Sequence, residues 1–155
     1  EGEMVAAIGV GGASIAQEAA LSHVFGYGVG LDMTRRDLQT VAKDKGWPWE
    51  MGKSFDHSAP LGALASAHEV GHRTDRVIEL KVNGRVRQSS TVAHMTWSVA
   101  EIVSKLSEQY RLEAGDVILT GTPEGVGAVV TGDKIELTVT GLPSLRISIA
   151  EALRP

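Results

Sequence analysis

Asn83-Gly84 lies between two runs with strand character, Val77 to Val82 and Arg85 to Thr91. Both residues tolerate the positive φ that a two-residue turn of the right twist requires, so the pair predicts a β-hairpin. Further turn signals, Gly125-Val126-Gly127, Thr131-Gly132-Asp133 and Gly141-Leu142-Pro143, surround short strand-like runs at Val117 to Leu119, Lys134 to Thr140 and Leu145 to Ala150. Upstream, Met4 to Val10 is an apolar run closed by Gly11-Gly12 and reads as a buried strand. Helical patterns are few. Ala13 to Ser22 is alanine-rich, and Trp97 to Tyr110 carries apolar residues at Val99, Ile102, Val103, Leu106 and Tyr110, the spacing of an amphipathic helix. Strands therefore dominate, and the regular strand–helix alternation of a doubly wound sheet is absent. The expected class is α+β, a mixed β-roll or sandwich-like sheet with few helices.

The chain has 155 residues, 43% of them hydrophobic, enough for one domain with a core and too short for two ordinary ones. Fifteen basic against nineteen acidic residues leave a net charge of −4, so no field favours nucleic acid or an anionic membrane. A small-molecule partner is expected. The absence of cysteine excludes disulfides and thiolate metal sites. No apolar run is long enough to span a bilayer, which makes the cytoplasm the default location. The first residues, Glu1-Gly2-Glu3, run straight into strand-like sequence without a methionine, so the single domain over 1–155 is expected to be N-terminally incomplete.

The stretch from Phe25 to Ser58 concentrates polar groups. Small residues alternating with Val29 and Leu31 read as a strand that ends in Asp32, and the following residues as a helix with Thr34 as cap and Gly46 as stop. Gly46-Trp47-Pro48-Trp49 is expected to be irregular, and Ala59 to Arg76 to be a surface connection with short pieces of structure at most. Glu1 and Glu3 are two apart, so on a strand their side chains share a face. With Asp32 they offer oxygen ligands that suit Mg²⁺. On spacing alone a polar strand start and an aspartate beside a helix are the commoner reading. Lys53 near a metal suits a developing enolate, and is otherwise a solvated loop lysine. Arg35, Arg36 and Gln39 suit a substrate carboxylate, or form an exposed helix face. Thr120-Gly121-Thr122-Pro123 follows a strand and offers hydroxyls and backbone N–H groups to an anion. It lacks the lysine and helix of a phosphate loop, so nucleotide binding is not supported. Of the five histidines, His68 and His72 stand four apart, but Gly71 works against a zinc-binding helix, and solvated loop histidines are expected.

The segments GYGVGLDMTRRDLQ, KGWPWEMGKSFD, LKVNGRVRQSS and LEAGDVILTGTPEGVG, in this order, resemble the fumarylacetoacetate hydrolase family, and in particular its acylpyruvate-cleaving bacterial members. The resemblance covers nearly the whole chain. It implies a β-roll homodimer that binds Mg²⁺ or Mn²⁺ through Glu1, Glu3 and Asp32. It further implies that Lys53 lies beside the bound keto acid, that Arg36 and Gln39 face the substrate, and that Thr122 holds its carboxylate. The implied activity is hydrolytic C–C cleavage of an acylpyruvate, fumarylpyruvate to fumarate and pyruvate, in aromatic-compound catabolism. Alternatives are an oxaloacetate decarboxylase or enol–keto isomerase of the same family, and an inactive metal- or ligand-binding fragment. Family hydrolases take their general base from a His-Glu pair upstream of the E-x-E strand, and none of the histidines here matches it.

Overall fold

β1 (Gly2–Ile8) is buried along its whole length, and two strands flank it in the computed structural model, which describes residues 1–151. β2 (Val24–Leu31) pairs with it antiparallel from Gly2 opposite Leu31 to Ile8 opposite Val24, and β6 (Val117–Leu119) pairs on its other side. A two-residue β3 (Ala65–Ser66) completes the order β3-β2-β1-β6. Gly26, Gly28 and Gly30 leave one face of β2 nearly bare, and the chain from Pro60 to Ser66 lies against it. A Cβ on Gly26 would stand 2.2 Å from the Ala65 carbonyl oxygen. Gly26→Ala is therefore expected to cost about 3 kcal/mol, the upper end of overpacking, read as a lower urea midpoint at unchanged slope.

β4 (Val77–Val82) and β5 (Arg85–Thr91) form the expected hairpin, with Asn83 at φ 52° and Gly84 at φ 77°. The Asn83 side chain also holds Asp133 and the Lys134 N–H, tying the turn to β7 (Lys134–Val139). With β8 (Leu145–Ser148) these strands make a second sheet in the order β5-β4-β7-β8. Ile78, Leu80 and Val82 of β4 and Ile135, Leu137 and Val139 of β7 alternate inward, as period-two patterning requires. They pack against the first sheet, where Leu80 and Leu137 press on Gly2. The α+β class holds, and every strand pairing among the described residues is antiparallel, so no parallel component of a mixed roll is among them.

α5 (Val99–Gln109) begins two residues after Trp97, because Ser98 and Glu101 form a reciprocal capping box there. The helix expected over 13–22 is reduced to α1 (Gln17–Ala20) and a 3₁₀ turn, Leu21–His23. The backbone N–H groups of Ser14 and Ile15 bond Ser107 of α5 instead of opening a helix. α2 (Arg36–Lys45) has Arg35 at its N-cap, without a side-chain bond, and ends at Gly46 as expected. Thr34 is thus not the cap, and its hydroxyl donates to the Asp32 carbonyl. Ala42 is the buried residue of α2, while Leu38 and Val41 face outward. After the irregular Trp47–Trp49, α3 (Glu50–Lys53) supplies a helical turn that sequence patterning left out. β3 and α4 (Ala67–Val70) are the short pieces in the 59–76 connection. Arg76, expected at its surface, is buried and donates to the carbonyls of Val70, Gly71 and Thr140. No helix of the described residues is long and apolar enough to cross a membrane.

Candidate metal and keto-acid site

The pairing of Gly2 with Leu31 puts the start of β1 beside the end of β2, and the Asp32 N–H donates to the Glu1 carbonyl at 2.9 Å. Glu1, Glu3 and Asp32 therefore converge, each offering a carboxylate oxygen within 4.8 Å of the others. Glu3 is 4% exposed, and its Oε2 accepts from the Gly121 N–H at 2.6 Å. Burial pushes its pKa up, the Gly121 N–H opposes this, and the charges of Asp32 and Glu1 push it further up. For Glu1 the upward pull of burial is overcome by hydrogen bonds from Lys53 and Arg36, which hold its carboxyl below the usual range. All-oxygen, carboxylate-rich donors around one point fit a hard divalent cation.

α3 brings Lys53 into this cluster. The Arg35 N–H donates to the Gly52 carbonyl at 2.9 Å, and Gly52 packs against Gln39 so closely that a Cβ there would lie 3.0 Å from the Gln39 nitrogen, which leaves little room for a side chain between α2 and α3. The three hydrogens of the Lys53 ammonium go to Glu1 Oε2 at 2.9 Å, Asp32 Oδ2 at 2.5 Å and Thr34 Oγ1 at 2.9 Å. Burial pulls its pKa down, but the bonds to Asp32 and Glu1 prevail and raise it, so it stays charged. Arg36 donates to Glu1 Oε1 at 2.5 Å and to Gln39 Oε1 at 2.6 Å, one helical turn on. Lys53 is thus part-buried and committed to carboxylates, where a solvated loop lysine was the alternative.

The turn after β6 closes the other side. Thr120 bonds the Met4 carbonyl through its N–H and hydroxyl, and Gly121, at φ 104°, aims its own N–H at Glu3. The Thr122 hydroxyl donates to the Gly2 carbonyl at 3.0 Å. Glu1, Arg36, Gln88 and the 125–129 loop line an adjoining cavity of about 650 Å³. The structure brings together Glu1, Glu3, Asp32, Arg36, Gln39, Lys53 and Thr122, whereas Arg35 lays its guanidinium over the Phe55 ring, 4.3 Å from its centroid. Sequence reasoning missed Thr34 and Gln88. In sequence Gln88 looks like an ordinary surface residue of the hairpin, and the exposed Val86 two positions away gives no hint of an inward face. The histidines contribute nothing here. α4 ends at Val70 before Gly71 at φ 69°, and His72 Nδ1 is bonded to the Tyr27 hydroxyl at 2.6 Å rather than standing free in solvent.

The family model described as the C-terminal region of fumarylacetoacetate hydrolase matches residues 1–150. Fumarylpyruvate hydrolase of a Ralstonia species is 45% identical over 152 residues, 98% of this chain and 79% of the relative. The mitochondrial oxaloacetate tautomerase of Rattus norvegicus is 40% identical over 149 residues, 96% of this chain and 67% of the relative. The crystal structure of fumarylpyruvate hydrolase from Pseudomonas aeruginosa in complex with Mn²⁺ and pyruvate superposes with a TM-score of 0.96 at 51% identity. That match covers 98% of this chain and 65% of the Pseudomonas chain, so this chain spans about two thirds of that protein's length. By its sequence, its fold and the match along nearly its whole length, the chain belongs to the fumarylacetoacetate hydrolase family.

Proposed function

We propose that the protein hydrolyses the C–C bond of an acylpyruvate, fumarylpyruvate to fumarate and pyruvate, with Mn²⁺ or Mg²⁺ held by Glu1, Glu3 and Asp32. The observation that carries this is the convergence of those carboxylates with the Lys53 ammonium bonded between two of them. Similarity to fumarylpyruvate hydrolases at 45% and 51% identity supports the substrate class. When bound, the cation supplies Lewis-acid polarisation of the dioxo end of a keto acid.

The chain's own residues bind and stabilise. Cleavage adds water's hydroxyl to the acyl carbon and its proton to the pyruvate methyl carbon, and the electron pair of the broken bond first resides on pyruvate as an enolate. The Lys53 charge stabilises that oxygen, and the ammonium donates to it by exchanging one of its three acceptors, Glu1, Asp32 or the Thr34 hydroxyl, for the enolate. The Thr122 N–H holds the substrate carboxylate, since the Thr122 hydroxyl hydrogen goes to the Gly2 carbonyl and the Gly121 N–H to Glu3. Arg36 serves the distal carboxylate, which its planar fork matches, and Gln39 keeps it turned toward the cavity.

A second reading has support of its own, the 40% identity to an oxaloacetate tautomerase. The same enolate stabilisation moves a proton between carbon and oxygen of oxaloacetate, breaking C–H and forming O–H, without C–C cleavage. The test follows loss of the enol absorbance of fumarylpyruvate with Mn²⁺, with a chelator control and an independent assay of pyruvate. Chelator-sensitive absorbance loss with equimolar pyruvate is expected. Enol loss from oxaloacetate without pyruvate, and none from fumarylpyruvate, would replace the hydrolase by the tautomerase.

A further inference from the structure

β5 turns one polar side chain fully into the core. Gln88 is 3% exposed and stands opposite Leu80 of β4, next to the irregularity where Lys81 pairs with Val86. Its amide oxygen accepts from the Gly2 N–H at 2.9 Å. Its amide nitrogen donates to Thr122 Oγ1 at 2.8 Å and to the Pro123 carbonyl at 2.7 Å. Thr122 Oγ1 in turn donates to the Gly2 carbonyl, so Gln88, Gly2 and Thr122 close a ring of hydrogen bonds. Gly2 is the residue between Glu1 and Glu3, and Gly121, next to Thr122, donates to Glu3.

An inward position between two packed sheets ordinarily takes an apolar side chain, as at Leu80 and Leu137. A buried amide there is costly unless it is satisfied, and Gln88 uses both its hydrogens and its oxygen. All those bonds run to the two segments that carry the carboxylates and the threonine. None serves its own sheet. Gln88 belongs to the second sheet, while both segments belong to the first, so its amide fixes their separation from outside.

Resting on the function proposed above, we infer that Gln88 is a positioning residue that locks the Glu1–Glu3 strand to the Thr120–Pro123 turn, so that the cation and the keto-acid carboxylate are held by one prealigned unit. Removing the amide leaves the Gly2 N–H and the Thr122 hydroxyl to find other partners. The carboxylates and the turn then lose their common reference, and both affinities fall together although Gln88 touches neither ligand.

The test compares wild type with Gln88→Met, which keeps the length of the side chain and removes its hydrogen bonds. Mn²⁺ affinity is read by calorimetry, pyruvate affinity at saturating Mn²⁺, and kcat and KM with fumarylpyruvate. Both dissociation constants are expected to rise by roughly 10- to 100-fold, the usual effect of a residue that orients metal ligands. KM should rise more than kcat falls, because Lys53 is untouched. Gln88→Asn withdraws the amide by one methylene, and it gives a smaller loss of the same two affinities if the methionine variant does not fold. A folded variant with lowered Tm but unchanged affinities assigns Gln88 a packing role alone and overturns the inference. Wild type that binds no Mn²⁺ overturns the proposed function, and the inference with it, whereas wild-type binding with unaffected variants overturns the inference only.

Discussion

Lys53→Met lowers kcat/KM for fumarylpyruvate by roughly 10²- to 10³-fold, the loss that follows removal of one donor aimed at a developing oxyanion, while Mn²⁺ affinity is kept or rises. Methionine reaches about as far as lysine and carries no charge, so the substitution deletes the ammonium with little change in shape. In the structure that ammonium neutralises Glu1 and Asp32 at 2.9 and 2.5 Å. Without it, Arg36 at Glu1 is the side-chain cation left paired with the three converging carboxylates among the described residues, and a divalent cation is the obvious replacement. Metal affinity and turnover thus move in opposite directions, which a general loss of structure does not produce. The apo form should lose some stability, less than a fully buried broken pair would cost, because both carboxylates and Lys53 remain partly exposed. Mn²⁺ should restore it. Calorimetry and steady-state kinetics on the same preparation check both halves, and parallel loss of metal binding and turnover would make Lys53 a support for the cation rather than a partner of the enolate.

The parts of this site that were legible before the structure are those set by short-range rules. Glu1 and Glu3 share a face because strands alternate, and Asp32 follows a strand whose glycines mark close packing. The Asn83-Gly84 turn and α5 declared themselves through turn chemistry and periodicity. That Asp32 faces Glu1 depends on pairing of residues 31 apart in sequence, visible only through the family resemblance. α1 failed for a tertiary reason, since Ser107 of α5 captures the N–H groups of Ser14 and Ile15. α3 escaped notice because a single helical turn has no periodicity to detect, although it carries Lys53 into place. Arg76 and Gln88 look like ordinary surface residues in sequence. Both are buried because distant backbone groups need partners, and hydrogen-bond accounting of that kind exists only once the chain is folded.

Glu3→Gln should remove the Mn²⁺-induced rise in Tm and leave the apo protein at least as stable as wild type. Glu3 is the most enclosed of the three carboxylates, and among the described residues it has one hydrogen bond, from Gly121, and no cation bonded to it. Lys53 and Arg36 are engaged with Glu1 and Asp32 instead. Folding the apo protein therefore buries a carboxylate among like charges, a cost visible in its raised pKa. Glutamine keeps the shape and an oxygen for the Gly121 N–H, and it relieves that cost. What it cannot supply is the negative charge. In wild type, Mn²⁺ at about 1,000 times its Kd stabilises the folded state by about 4 kcal/mol, which for a domain of this size raises Tm by roughly 8–16 °C. In Glu3→Gln the same concentration lies far closer to the weakened Kd, and the shift collapses. Thermal unfolding with and without Mn²⁺ separates the two effects. A variant that still gains the full wild-type shift would place the cation elsewhere, and one whose apo Tm falls sharply would make Glu3 a structural anchor for Gly121, because only a favourable role in the metal-free fold can be lost there.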